Sequence, residues 1–136
     1  MTMVVRIVRL GTPRHADEGT RIGTVRRPPR GVPRTAFASG DWYDTWLPEL
    51  SPSAELVKLA LASQKDRTPA GDREWTTFVR KYRAEMSAPS AAHAIALLAA
   101  LSTHASFSVG CYCEDEARCH RSVLRELLAE AGARVD

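Results

Sequence analysis

The sequence predicts an α/β fold: a small, mainly parallel sheet from residues 3–10, 20–27 and 107–113, covered by helices and ending in a strand–turn–helix unit. Three observations predict it. Short β-branched runs bounded by Gly and Pro lie near both ends of the chain. Between them, apolar residues recur at helical spacing with charged residues on the opposite side. The last apolar run passes through a tight polar turn straight into an amphipathic pattern. With 136 residues the chain suffices for one ordinary core, so 1–136 is read as a single domain.

Met3-Val4-Val5-Arg6-Ile7-Val8-Arg9-Leu10 is β-branched, nearly continuously apolar and stopped by Gly11-Thr12-Pro13, as expected of a buried strand. Residues 20–27 form the second strand, ended by Pro28-Pro29. Pro28-Pro29-Arg30-Gly31-Val32-Pro33-Arg34 is expected to be a stiff, arginine-studded loop, because three prolines remove amide donors and restrict φ. Trp42 and Trp46 stand four residues apart, which predicts a short helix or turn over Asp41–Leu47 with both indoles on one side. Core packing is the expected role of that pair, ahead of a stacking platform for bases.

Ser51-Pro52 marks a helix start, followed by inward Leu56, Leu59 and Ala60. Residues 63–71 are polar, hold Pro69 and Gly71, and are expected to be a mobile loop. Asp72 is placed to cap the next helix, where Trp75, Phe78, Val79, Tyr82 and Met86 form one apolar stripe. Pro89-Ser90 opens an Ala-rich helix with Leu97, Leu98 and Leu101 expected inward and His93 beside that face. Phe107 to Cys113 is the last main strand. Val123, Leu124, Leu127, Leu128 and Ala131 define the closing helix, Gly132 ends it, and residues 133–136 are read as a short final strand.

No apolar run approaches the ~20 residues that span a bilayer, so no membrane partner is expected. Met1-Thr2-Met3-Val4-Val5-Arg6 lacks the apolar centre of a secretory signal, so a cytoplasmic location with reduced cysteines is expected. The net charge of +3 is uneven: residues 1–34 carry eight arginines against Asp17 and Glu18, and the rest sums to −3. A basic N-terminal part faces phosphate well, on nucleic acid or on a small molecule. Sixteen Arg against three Lys, with abundant Ala, also reads as codon bias, so nucleic acid stays open but is not favoured.

All three cysteines lie in Gly110-Cys111-Tyr112-Cys113-Glu114-Asp115-Glu116-Ala117-Arg118-Cys119-His120-Arg121. A strand, a turn and a helix start is where α/β proteins commonly bind ligands, because free amides there attract anions. Asp115 or Glu114 is placed to cap the helix, with Cys119 in its first turn beside His120 and Arg121. The helix dipole and the positive neighbour would lower the Cys119 pKa if it is exposed. Arg118 and Arg121 suit two-pronged binding of phosphate or carboxylate.

Several chemistries compete for this stretch. A metal would take Cys111, Cys113, Cys119 and His120. Cys119 and His120, adjacent on a helix, would point ~100° apart, and the spacing matches no common zinc finger, so no metal or cofactor is expected. Thiol redox chemistry would pair Cys119 with Cys113 or Cys111, although no C-x-x-C motif is present. A nucleophilic Cys119 with His120 as its proton partner is a third reading. Cys119 to Arg125 has the C-x5-R spacing of cysteine phosphatases, but without glycines to curl the backbone around a phosphate. The plain alternative is that these cysteines pack, which is favoured for Cys111.

These residues resemble the bacterial family known as domain of unknown function 488, whose members often end in a strand with a cysteine and an acid, then Cys-His-Arg and a helix. Here those are Cys111 or Cys113, Glu114, and Cys119-His120-Arg121-Ser122. Arg21 to Gly31 is similar to the family's strand followed by Arg and Pro-Arg-Gly. Trp46-Leu47-Pro48-Glu49-Leu50-Ser51-Pro52-Ser53 and Phe78-Val79-Arg80-Lys81-Tyr82-Arg83-Ala84-Glu85 are similar to two further family segments. Arg27-Pro28 replaces the usual Leu-Trp before Pro29-Arg30-Gly31, so an aromatic contact of that loop is not implied here. The resemblance implies a small cytoplasmic α/β protein without an established activity. It also implies that Arg26, Arg30, Trp46, Tyr82, Glu114, Cys119, His120 and Arg121 gather around one cleft.

The leading expectation is therefore an anionic ligand, phosphorylated or nucleic acid, held between the Arg26–Arg34 loop and Cys119-His120-Arg121. The alternatives are a thiol-dependent enzyme or redox protein using Cys119, and an interaction protein whose cysteines only pack.

Overall fold

The computed structural model describes residues 3–136; Met1 and Thr2, part of the segment read for a secretory signal, lie outside the described residues. Strands β1 (Val5–Arg9), β2 (Thr20–Gly23), β3 (Thr45–Trp46) and β4 (Phe107–Cys111) make one sheet in the order β1-β4-β2-β3, all parallel. Helices α1 (Ala54–Lys65), α2 (Pro69–Glu85), α3 (Pro89–Leu101) and α4 (His120–Glu130) complete the domain. The expected α/β class and the closing strand–turn–helix unit are both present. No single helix among the described residues is long and apolar enough to cross a membrane.

β4 is central, with Val109 opposite Ile7 of β1 on one side and Ile22 of β2 on the other. A strand paired on both edges and covered on both faces has no solvent side, which is why all of Phe107–Cys111 is buried. Successive side chains alternate faces. Phe107 and Val109, with Val5 and Ile22, meet Leu56 of α1, Phe78 and Tyr82 of α2, Ile95 of α3 and Leu124 and Leu128 of α4. The other face carries Ser108 and Gly110. It is closed by the loops after β1 and β2 through Glu18, Leu10 and Tyr43.

Several local expectations change in the fold. The Asp41–Leu47 segment forms no helix: it starts in a turn at Asp41 and runs into the two-residue edge strand β3, Thr45–Trp46. Asp44 N–H donates to Arg21 O at 2.8 Å and Leu47 N–H to Gly23 O at 2.9 Å, so the segment pairs with the free edge of β2. Asp41, with φ 61, turns the chain just before it. The two tryptophans therefore part: Trp42 packs edge-on against Tyr112, while Trp46 is 41% exposed. In α3 the buried residues are Ala91, Ile95, Leu98 and Ala99; Leu97 and Leu101 face outward and His93 is exposed. An Ala-rich helix has little contrast between its faces, so its stripe was misplaced. α1 begins after Ser53 and not at Pro52, and Thr68, not Asp72, caps α2 by accepting Ala70 N–H at 3.3 Å. The expected final strand reduces to one bridge between Val5 and Val135.

Two sequence segments singled out by family resemblance meet here. Tyr82 hydroxyl donates to Leu50 O at 2.7 Å, and Glu85 accepts Ser53 N–H at 3.0 Å. α2 thus clamps the turn that leads into α1, which becomes the roof of the cavity described below. Tyr82→Phe is expected to leave Leu50 O unpaired and to lower stability by about 1–2 kcal/mol with the fold kept. Urea unfolding checks this; a change below a few tenths of a kcal/mol would count against the clamp.

Candidate functional site

The chain leaves β4 at Cys111 and reaches α4 through a short 3-10 turn, Glu116–Arg118. Asp115 starts that turn by accepting Ala117 N–H at 3.0 Å. The turn is fastened to the end of α1: Arg118 donates to Ser63 O at 2.7 Å and pairs with Asp72, and Gln64 donates to Arg118 O at 2.8 Å. Arg118 is therefore engaged in holding the turn. Arg125 likewise pairs with Glu116 and Asp136 O, so the phosphatase-like spacing has no arginine facing the thiol.

Cys119 is not in the first turn of α4 but is its N-cap, with φ −122 and ψ 153. With that extended backbone its sulfur lies 2.8 Å from the Cys111 sulfur, in a cluster with Leu10, Val25 and Tyr43. His120, the first helical residue, brings Nδ1 to 3.7 Å from the same Cys119 sulfur. The expected divergence of Cys119 and His120 does not occur, because the two residues do not share helical geometry. The ligand-type atoms of Cys111, Cys119 and His120 all lie within 4.8 Å of one another, and all three residues are buried.

One contact and burial together fix the state of the imidazole. His120 Nε2 is 2.9 Å from Thr24 O, and a carbonyl only accepts, so Nε2 carries the proton and Nδ1 presents a lone pair to the sulfurs. Burial lowers the His120 pKa to about 4, so the ring is neutral at neutral pH. Tyr82 packs edge-on behind it at 5.6 Å.

The thiols are not equivalent. Hydrogen bonds from Cys111 and Cys119, with help from Gln64, hold the half-buried Cys113 below the ordinary thiol range. Cys111 is pushed up by donating to Cys113 and Cys119 and by burial. Cys119 gains from the Cys111 hydrogen bond, but donation to Cys113 and burial carry it to about 11. The sequence pointed to Cys119 as the acidic thiol; the fold gives that property to Cys113, because Cys119 is 1% exposed.

These groups form the floor of a cavity of about 430 Å³. Val25, Pro52, Val57, Leu61 and Phe78 wall it, Cys111, Cys113, Cys119 and His120 line its base, and Arg26, Arg27 and Lys58 stand at its edge as exposed cations. It sits at the C-terminal ends of β2 and β4, where parallel α/β sheets commonly hold ligands.

The remaining residues implied to share this cleft are placed differently. Arg121 is 3% exposed and does not line the cavity; its guanidinium donates to Cys113 O, and its Nε is buried without a partner. Tyr82 is fully buried with its hydroxyl committed to Leu50 O, so it offers no free polar atom to a ligand. Glu114 is exposed and pairs with Arg9 at 3.5 Å. Trp46 donates to Val25 O at 2.6 Å and lines a second cavity of about 690 Å³ with Arg34 and Tyr43. Arg30 is exposed and lines neither cavity. Sequence reasoning passed over Arg27 and Lys58 at the edge and Thr24 behind the histidine. Arg27 stood as a departure from the family pattern, and nothing local marks the other two.

A family model described as the active DUF488-N3 subclade matches residues 5–132. No curated protein and no solved structure matches the chain.

Proposed function

We propose that this chain, which belongs to the DUF488 family, binds a small molecule that joins an apolar body to an anionic group and holds it against the sulfur–imidazole floor. The carrying observation is the division of the cavity: apolar walls, a base of three sulfurs and a neutral imidazole, and Arg26, Arg27 and Lys58 at the edge. A volume of about 430 Å³ suits a small ligand and not a nucleic-acid strand. Four of the N-terminal arginines are already engaged: Arg6 with Asp136, Arg9 with Glu114, Arg14 with Asp41 and Asp44, and Arg21 with Glu18. This leaves the exposed Arg26, Arg27, Arg30 and Arg34 without a salt bridge among the described residues, the first two at the cavity edge.

The test compares 1-naphthyl phosphate with neutral 1-naphthol by isothermal titration calorimetry. The phosphate should bind about tenfold tighter, and Arg26→Ala/Arg27→Ala should abolish most of that difference, because opposite charge near a low-dielectric wall is worth about 1–2 kcal/mol. Equal binding of the two compounds, or a preference unchanged in the double variant, refutes the reading.

A second reading, thiol-dependent chemistry on the bound molecule, is favoured by the description of the matched subclade as active. It also rests on the Cys113 sulfur at the cavity base and on Nδ1 of His120 facing Cys119 at 3.7 Å. Cys113 rather than Cys119 would be the sulfur that meets a ligand, and loss of turnover in Cys113→Ser with naphthyl-phosphate binding kept would identify it.

A further inference from the structure

We propose that Cys111, Cys113, Cys119 and Nδ1 of His120 form a tetrahedral site for one zinc-class divalent cation. The inference is independent of the ligand reading above and departs from the expectation, drawn from spacing alone, that this stretch holds no metal.

Four features of the geometry carry it. The first is convergence: atoms from Cys111, Cys119 and His120 lie within 4.8 Å of one another, and Cys113, which lines the same cavity base, has to swing its sulfur inward to complete the set. With metal–sulfur bonds near 2.3 Å and metal–nitrogen bonds near 2.0 Å, ligands of a tetrahedral site stand roughly 3.4–3.8 Å apart. Cys119 Sγ and His120 Nδ1, at 3.7 Å, are at that spacing. Cys111 and Cys119, at 2.8 Å, need to open by about 1 Å to share an ion.

The second feature is the histidine. Metal-bound imidazoles usually donate their other ring N–H to a carbonyl or carboxylate, which fixes tautomer and orientation. His120 does so to Thr24 O at 2.9 Å, leaving Nδ1 aimed at the sulfurs. The third is charge. Three thiolates around a divalent ion leave one net negative charge in a buried place, and Arg121, 3% exposed, brings its guanidinium to the same turn by donating to Cys113 O. The fourth is the position of Cys119 as the N-cap, which lets two adjacent residues aim at one point.

Binding replaces the S–H bonds that remain by metal–sulfur bonds and releases their protons to solvent, with no change of oxidation state. A sulfur-rich donor set with one imidazole favours zinc over magnesium or calcium, and accepts cobalt as a spectroscopic substitute.

The test uses the full chain, purified without chelator and kept reduced. Elemental analysis should give about one zinc per chain. After chelation, titration with cobalt(II) alone should produce sulfur-to-cobalt charge-transfer bands and the intense visible bands of tetrahedral coordination, saturating at one equivalent. Cys119→Ser should remove that spectrum, whereas Arg121→Met, which spares every ligand, should weaken affinity about 10–100-fold. These readings need no enzymatic activity, and the first two need no variant. Absence of stoichiometric zinc together with no tetrahedral cobalt spectrum in the reduced wild type overturns the proposal. So does finding Cys111 joined to Cys119 as a disulfide in metal-free protein isolated under non-oxidising conditions. If the metal-free chain still prefers naphthyl phosphate to naphthol, only the metal proposal fails; if zinc is present without that preference, only the ligand reading fails.

Discussion

Arg21→Met is expected to destabilise the fold by about 3–5 kcal/mol, because it strands a buried carboxylate. Arg21 and Glu18 are 1% and 2% exposed, so neither charge reaches water. The guanidinium donates to Glu18 twice, at 2.6 and 2.9 Å, and to the carbonyls of Thr12 and Asp41 at 2.8 and 2.7 Å. Glu18 also accepts from Ser108 hydroxyl at 2.7 Å and from His15 N–H at 3.2 Å. Loss of Arg21 leaves the buried Glu18 charge without its counter-ion and Thr12 O without its donor, while Asp41 O keeps only Gly11 N–H and the apolar volume is nearly kept. Urea unfolding with an unchanged m-value measures the effect, and a loss below about 1 kcal/mol would contradict it. Glu18→Met/Arg21→Met should be milder than the sum of the two single variants, since no lone charge remains.

The second large effect is a loss of stability in acid. Burial alone would raise the Glu18 pKa, but hydrogen bonds from Arg21, Ser108 and the His15 amide lower it from 4.5 to about 2. The folded carboxylate resists protonation that the unfolded chain accepts near pH 4.5. Its contribution is therefore fully present above that pH and disappears as pH falls towards 2. With the carboxylate 2% exposed, the contribution is about 2–3 kcal/mol. Asp44, whose burial is outweighed by bonds from Arg14 and from Arg21 N–H, is shifted in the same direction and adds to the slope. Urea midpoints at pH 5 and pH 2.5 should differ strongly in the wild type. The difference should shrink by about 2 kcal/mol in Glu18→Gln. An equal pH slope in both proteins would place the acid sensitivity elsewhere.

Both effects come from residues that look like solvent-facing charge in the sequence. Arg21 belonged to a basic N-terminal stretch expected to face an anion, and Glu18 to a polar turn. What hides them is the register of β2 against β4: Arg21 pairs with Ser108, on the face opposite Ile22 and Val109. The loop after β1 then folds Glu18 over that face. The site shows the same division. That a strand ending in cysteine would run through a turn into Cys-His-Arg and a helix was legible from spacing. The approach of His120 to Thr24, 96 positions away, was not, because no local signal encodes that separation.

The sequence by itself determined the α/β class, a strand within residues 107–113, the amphipathic α2 and α4, and the stretch where chemistry is concentrated. Those follow from periodicity, turn residues and β-branched runs, which act over a few residues. Only the tertiary structure decided which sulfur is accessible, which nitrogen of His120 holds the proton and which arginines remain exposed. It also decided that Cys119 and His120 point to one place instead of two. Each of these depends on partners brought together by a parallel sheet, whose strands are joined only through long connections.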